Sequence, residues 1–580
     1  MQICNGNIAD NVDNADNADK ADGTTKHTEN TMKIINTQTE NGSQAGKIPQ
    51  AGKTAQADIT QADSTAPADS AAQKNAAQTD SAKAQQKNTA QKNAAQPETS
   101  LSRSLTDRHI LLIALGGAIG TGLFYGSAES ISLTGPSILL AYLLGGLIIF
   151  LIVRALGEMS AHEPRSGAFS WYASKYWSKR AGFISGWNYW FNYVLVSMVE
   201  LSVVGTFVRY WFPQIPAWAS AAFFLGVIVL SNLAGVKQFG EAEFWLALIK
   251  IVAVILMIIG GLVCIIRSTE GIWGTKASFA NLFANSSDGP ASGFMPYGLI
   301  SKVAGGSGGS GGETHLAGLL IALVVVMFSF GGTELVSVTA GEAKDPKRSI
   351  PRAVNGVIWR ILGFYVVALA VIMAVVPWQH IGEPNENGVT VSPFVQIFDS
   401  VGIHAAAGIL NFVCLTAVIS VYNSALYSNS RMLFSLAKQG NAPKFLGRLN
   451  SRGIPSAGVF VSAFITAAAV VVVFLWPDFA FNYLMSIATG AAVINWTMIA
   501  ITHTKFRKHI LEHEGQEGIE KLEFKLPLAK FSDIFVILAM ACLAAIMFFI
   551  PEYRVAVIAI PVWLAALYAA SVLHDKKNRG

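Results

Sequence analysis

The sequence predicts an all-α polytopic membrane protein of twelve transmembrane helices, with helices 1 and 6 broken and a five-plus-five inverted repeat at its core. Three observations predict it. The 580 residues are 52% hydrophobic but only 14% charged, whereas a soluble chain would carry about a quarter charged residues. Beyond Leu101, apolar stretches follow one another closely, and each is near the length of about 20 residues that a bilayer crossing needs. Finally, glycines interrupt the first and the sixth of these stretches.

Residues 1–100 come first and stand apart. They contain no Phe, Trp or Tyr and are rich in Ala, Asn, Asp, Gln, Lys and Thr. Such a tail cannot bury enough apolar surface to offset its ordering entropy, so disorder is expected. It has no signal-peptide core, and Cys4 lacks the apolar run of a lipid-attachment site. A functional tail and a true start further on, for example at Met32, are both open.

The remainder, 101–574, divides into expected spans at 109–130, 136–157, 182–209, 217–235, 239–266, 316–340, 353–377, 404–430, 455–476, 479–502, 532–550 and 553–573. A short tail, 575–580, follows. Between spans 5 and 6 lies the longest loop, about 267–315, with the linker-like run Gly305 to Gly312 at its tip. Basic residues crowd loops 2/3, 4/5, 6/7, 8/9 and 10/11 and the C-terminus. The opposite loops carry only Arg209, Arg267, Lys276, Lys302 and Arg554. The positive-inside rule then puts both termini in the cytoplasm of a multi-pass plasma-membrane protein.

Span 1 contains "ALGGAIGTGLF" (Ala114 to Phe124), with Gly116, Gly117, Gly120 and Gly122. Each glycine costs about 1 kcal/mol against alanine in an ordinary helix. Close helix packing, a kink, and an unwound binding segment are three readings of such a run. Span 6 contains "MFSFGGTELVS", with Gly331, Gly332 and the acid Glu334. Two units of five helices would each open on a broken helix, and an odd number makes the second unit inverted. Matching interruptions in two halves point to a transporter's substrate site. An unwound turn offers free N–H groups and a positive dipole end to a carboxylate. Its free carbonyls suit an ammonium group. A ligand carrying both close together is an α-amino acid.

Charges within the spans are few and costly. Lys250 sits mid-span 5, Glu200 in the second half of span 3, and Glu334 just past the span 6 break. Burial can bring a lysine to the point of exchanging a proton near physiological pH. Structural ion pairing is the competing reading. Cys264, Cys414 and Cys542 lie in apolar segments, so neither a disulfide framework nor a metal site is implied. No nucleotide-binding loop, nucleophile–base pair or zinc spacing occurs. Neither an enzyme, a cofactor nor a nucleic-acid partner is indicated.

"ALGGAIGTGLF", "LGEMSAHEPRSGAF", "GEAEFWLALIK", "FSFGGTELVSVTAGEAKDPKRSIPRAV" and "SVYNSALYSNSRMLFSLAKQGNAPK" together resemble the amino acid permeases of the amino acid–polyamine–organocation superfamily, above all bacterial aromatic amino acid and phenylalanine permeases. The resemblance covers about 103–574. It implies a LeuT-type inverted repeat with helices 11 and 12 outside it, and uptake of an amino acid with protons across a bacterial inner membrane. Carried over, Gly116, Gly117, Ala118, Ile119, Gly120, Thr121 and Gly122 hold the α-carboxylate and part of the α-amine. Phe328, Ser329, Phe330, Gly331, Gly332, Thr333 and Glu334 complete the amine site and begin the side-chain pocket. The resemblance gives Lys250 the place of a coupling ion, touching helix 1 carbonyls and a helix 8 hydroxyl, for which Ser424 is the candidate. The aromatic permeases usually have leucine at Thr333 and glycine at Ser337. Lysine and 4-aminobutyrate permeases resemble this sequence at Thr333, which leaves another amino acid as the alternative substrate. Proton-independent exchange is the alternative mechanism, and oligomeric state is left open.

Overall fold

The computed structural model describes residues 105–117, 119–165, 167–283, 293–304, 314–383, 391–477 and 479–579, all within one compact unit. The expected tail and the glycine-rich run 305–312 lie outside the described residues.

The first apolar stretch is broken into α1 (Asp107–Gly116), α2 (Thr121–Phe124) and α3 (Gly126–Thr134). Gly120 at the break has φ −143° and ψ −145°, outside any helix. A short turn, Gly135–Ser137, leads into α4 (Ile138–His162). α5 (Ala168–Tyr172) continues as a π-helical turn through Trp177. α6 (Lys179–Arg209), α7 (Ala217–Asn232) and α8 (Val236–Ile266) follow. The Ser178 side chain caps α6 by accepting from the Ala181 amide at 3.1 Å.

A two-stranded antiparallel hairpin, β1 (Ser301–Ala304) and β2 (Thr314–Ala317), precedes α9 (Leu319–Phe328). After a non-helical stretch come α10 (Leu335–Val338) and a 3-10 turn to Glu342. α11 (Pro346–Arg360) passes through a π-helical segment, Ile361–Val367, into α12 (Ala368–Val375). The remainder is α13 (Pro393–Asp399), α14 (His404–Lys438), α15 (Ser456–Thr466), α16 (Ala468–Leu475), α17 (Ala480–Lys521, kinked at Gly515), α18 (Ala529–Phe549) and α19 (Arg554–Arg579).

Among the described residues, nine helical stretches are long and apolar enough to cross a membrane, and α7 and α9 are shorter apolar helices. The chain is therefore a multi-pass helical membrane protein. Large apolar side chains such as Leu230, Ile266 and Phe464 are exposed, as the lipid-facing surface of such a protein should be. Several boundaries differ from those the sequence suggests. α14 and α17 run past 430 and 502 because their polar ends continue as helix. α19 runs to Arg579, so the described part of 575–580 is helical.

The core is built around two helices, α6 and α14, which pack along each other; α17 also packs on α6. α1 packs against α8 and α11, and α9 against α3 and α4. The two interrupted segments thus lie between these layers. At one end, Leu105 and Ala343 form a β-bridge. Beside it, the buried Arg431 Nε meets Glu342 Oε1 at 3.0 Å and stacks over Tyr427 at 3.7 Å. That arrangement ties the approach to α1 to the segment following α10.

Candidate functional site

At the α1–α2 break the carbonyls lose their regular α-helical partners, Gly116 O accepting instead from the Ile119 amide at 3.1 Å, and one side chain gathers them. Lys250 Nζ donates to Gly116 O at 2.6 Å, to Ile119 O at 3.3 Å and to Ser420 Oγ at 2.9 Å. Lys250 comes from α8 and Ser420 from α14. The lysine therefore ties three elements together at the unwound turn. It is fully buried, so its three donors all find acceptors, as burial requires. The expected helix 8 hydroxyl, Ser424, is corrected to Ser420: the two are one turn apart on the same face, and it is Ser420 that reaches the amine. Ser424 lies beside the Glu243 carboxylate instead.

Glu200, on α6, stands at the other side of the break. Its Oε2 accepts the Thr121 hydroxyl and, at 3.4 Å, the Thr121 amide. Thr121 is the first residue of α2, whose first amides have no carbonyl before them in the helix. The acid satisfies one of them.

The second break is held as firmly. Gly332 has φ +97°, a conformation that a side chain would strain. The Thr333 hydroxyl donates to Phe330 O at 3.0 Å and to Glu334 Oε2 at 3.3 Å. The Tyr193 hydroxyl donates to Glu334 Oε1 at 3.2 Å. Ser329 is fixed twice: its carbonyl accepts from Tyr365 at 3.0 Å, and its hydroxyl lies 3.2 Å from that of Tyr142. Tyr365 belongs to the π-helical segment after α11, which turns it inward. Where the two breaks touch, a Cβ on Gly122 would lie 2.5 Å from Ser329 Cα. Only glycine permits that approach.

A cavity lies between the breaks. Gly120, Gly122, Phe328, Ser329 and Gly331, expected from the sequence to meet the substrate, line it with Glu200, expected there in proton coupling, and with Asn192 and Val196 of α6, Val421 of α14, and Ala488, Ala492 and Trp496 of α17. Other expected site residues stand behind this lining. Gly116 abuts Ala247, and Gly117 abuts Leu335. Phe330 is fully buried against Tyr142 and Tyr365. Thr333 and Glu334 serve the backbone of the break. Ile119 contributes its carbonyl to Lys250. Ala118 lies outside the described residues.

Sequence reading missed Asn192 and Val196 of α6, Val421 of α14 and the whole wall from α17. Asn192, a polar residue in an apolar helix, was a usable signal; its side chain donates to Ala488 O at 2.7 Å and so fixes one wall. It also missed Glu243, inside a motif already noted. Glu243 and Lys250 are seven residues apart on α8 and share a face.

The fold and site define a multi-pass membrane protein in which two interrupted helices meet at a buried cavity, with a lysine and an acid on the unwound backbone. Comparison with known proteins is consistent with that class. The amino acid permease family model matches residues 109–579. The aromatic amino acid transport protein AroP of Salmonella typhimurium (strain SL1344) is 45% identical over 476 residues, 82% of this chain and 96% of its own. AroP of Escherichia coli (strain K12) is 45% identical over 477 residues, with the same coverage of both chains. YtnA of Bacillus subtilis (strain 168), named an uncharacterized amino acid permease, is 42% identical over 479 residues, 82% of this chain and 96% of its own. The chain belongs to the amino acid permease family. It is a membrane transport protein rather than an enzyme.

Proposed function

We propose that this permease imports aromatic amino acids, Phe, Tyr and Trp, together with protons, by alternating access. The observation that carries the coupling is the Lys250 ammonium spanning Gly116 O, Ile119 O and Ser420 Oγ. A cation at this point holds the unwound turn in one arrangement. Losing its proton removes a charge and a donor, so the turn and the helices attached to it can rearrange. The names of the AroP relatives support the substrate class. Phe328, Val421, Ala488 and Trp496 give the cavity an apolar side, which an aromatic side chain would meet once the site opens; as it stands the cavity holds about 30 Å³.

The architecture we read into these elements has twelve membrane helices. The first of the nine long stretches, Gly126–His162, joins the end of the broken α1–α3 segment to α4; taken as two spans, and with α7 and α9 added, the nine become twelve. The first ten form two inverted units of five, of the LeuT type, each opening on a broken helix. Gly120 and Gly122, which line the cavity, bind the substrate carboxylate and share its amine with the 328–334 segment, while Gly116 and Gly117 shape the break behind them. The helices holding the breaks rock against α6 and α14. Both termini face the cytoplasm, and the membrane is a bacterial inner membrane. One proton crossing 100 mV supplies about 2.3 kcal/mol. At about 1.4 kcal/mol per decade, that sustains roughly a fifty-fold gradient of a neutral zwitterion.

The test is uptake of labelled phenylalanine into proteoliposomes, with and without an inward proton gradient, competed by all twenty amino acids. Gradient-driven uptake blocked by Tyr and Trp supports the proposal. Gradient-driven transport of a different amino acid refutes the substrate class alone. Uptake that requires a trapped amino acid inside, and ignores the proton gradient, refutes the coupling.

A further inference from the structure

Lys250 does not end its contacts at Ser420. The Ser420 hydroxyl, 2.9 Å from Lys250 Nζ, is itself hydrogen-bonded to Oε1 of Glu243. Glu243 is fully buried, and its other oxygen lies 3.5 Å from Asn423 Nδ2. Asn423 continues to Asn232, whose Nδ2 donates to Asn423 Oδ1 at 2.9 Å and to Asn423 O at 3.3 Å. Asn232 is the last residue of α7. At the turn that follows, Leu233 O already accepts from the exposed Arg452. A line of polar groups thus runs from the centre of the site to the α7–α8 turn at the surface.

The geometry points to Glu243 as the acceptor through which Lys250 discharges its proton, with Ser420 as the bridge. This rests on the proton coupling proposed above. The Lys250 N–H bond breaks as its proton passes to Ser420 Oγ. The Ser420 O–H bond breaks in the same step, and its proton forms an O–H bond with Glu243 Oε1. The products are a neutral amine, an unchanged serine and a neutral carboxyl group. Two buried opposite charges cancel, so neither ion is left alone in a medium where an unpaired charge is costly. The asparagines hold the carboxylate and do not relay, because Asn423 presents an N–H donor to it; release follows when the helices rearrange and water from the α7–α8 side reaches Glu243, takes the proton and leaves the carboxylate in its starting form.

The groups facing this carboxylate are few. Ser420, Asn423 and Ser424 come from α14, and Lys250 shares α8. The second acid acting on Lys250 is Glu200, on the cavity side of the break. The amine therefore stands between one acid that borders the substrate cavity and another that does not. The Glu243 backbone lies about 10 Å along the α8 axis from that of Lys250, towards the helix start. In the proposed orientation that direction is cytoplasmic, as release of an imported proton requires.

The experiment compares wild type, Glu243→Gln, Glu243→Asp and Ser420→Ala as full-length chains in proteoliposomes. It measures both proton-driven net uptake of labelled phenylalanine and phenylalanine–phenylalanine counterflow, which needs no proton turnover. Loss of a positioned acid–base group costs roughly a hundredfold. Glu243→Gln should lose about that much net uptake while still catalysing counterflow, Ser420→Ala should lose net uptake as well, and Glu243→Asp should recover net uptake. Wild-type net uptake in Glu243→Gln would overturn the relay. So would equal loss of net uptake and counterflow in Glu243→Gln and Glu243→Asp, which marks a structural residue. Either result, with wild type still proton-driven, leaves the coupling itself standing. A wild type indifferent to the proton gradient would overturn both.

Discussion

Gly122→Ala puts a methyl group where the two interrupted helices touch. A Cβ there would lie 2.5 Å from Ser329 Cα and 3.0 Å from Ser329 Cβ. Ordinary contact needs about 3.5 Å or more, so the backbones must separate by about 1 Å. Ser329 cannot retreat freely. Its carbonyl is held by Tyr365 at 3.0 Å and its hydroxyl lies 3.2 Å from Tyr142. A 1 Å shift stretches these beyond hydrogen-bond range. Overpacking costs about 1–3 kcal/mol, and one lost neutral hydrogen bond about 1 kcal/mol more. The sum, about 2–4 kcal/mol, corresponds to at least a roughly thirty-fold change in an equilibrium at about 1.4 kcal/mol per decade. The assay is the initial rate of labelled phenylalanine uptake at matched membrane abundance, with a thermal melt of the purified protein. Gly226→Ala is the control, because a Cβ there meets nothing within 4 Å. Gly122→Ala should lose uptake or melting temperature well beyond the control. If both variants match wild type in rate and melting temperature, the close approach of the two breaks is not the constraint described.

Three further outcomes are expected. Lys250→Met leaves Gly116 O and Ile119 O without their buried donor and should abolish accumulation of substrate against a gradient; accumulation at the wild-type level would remove the lysine from coupling. Thr333→Leu removes a hydroxyl that bonds Phe330 O rather than the cavity, so the ranking of competing amino acids should stay the same while stability falls by about 1 kcal/mol; a changed ranking would return Thr333 to the pocket. Arg431→Gln strands Glu342 as a buried charge and should destabilise the protein by about 3–5 kcal/mol. Replacing both partners by neutral residues should recover much of that loss in a thermal melt.

Legibility from sequence tracked the depth of each signal. The long apolar stretches were readable because a bilayer imposes length and composition directly. The two breaks were readable because paired glycines are conspicuous in a helix that should have none. The Lys250 contact to the first break also follows from sequence likeness, down to the helix 1 carbonyls. What failed was phase and partnership. Ser420 and Ser424 lie on one face, and only the three-dimensional placement of α8 decides between them. Glu243 sits in the same motif as Lys250, yet Glu241 in that motif is partly exposed and pairs with Arg108. Hydropathy alone does not separate the two acids. Asn192 and Trp496 reach the cavity from helices far apart in sequence, so no local pattern joins them. The π-helical segment 361–367 that presents Tyr365 has no sequence signature, because its residues would sit equally well in a regular helix.

The central claim is that substrate and proton move together through this site. The most direct test uses proteoliposomes with a pH-sensitive dye inside, equal pH on both sides and no imposed gradient. Adding phenylalanine outside should acidify the lumen in wild type and leave it unchanged with Lys250→Met. Phenylalanine entering wild-type vesicles with no change in luminal pH would contradict the account.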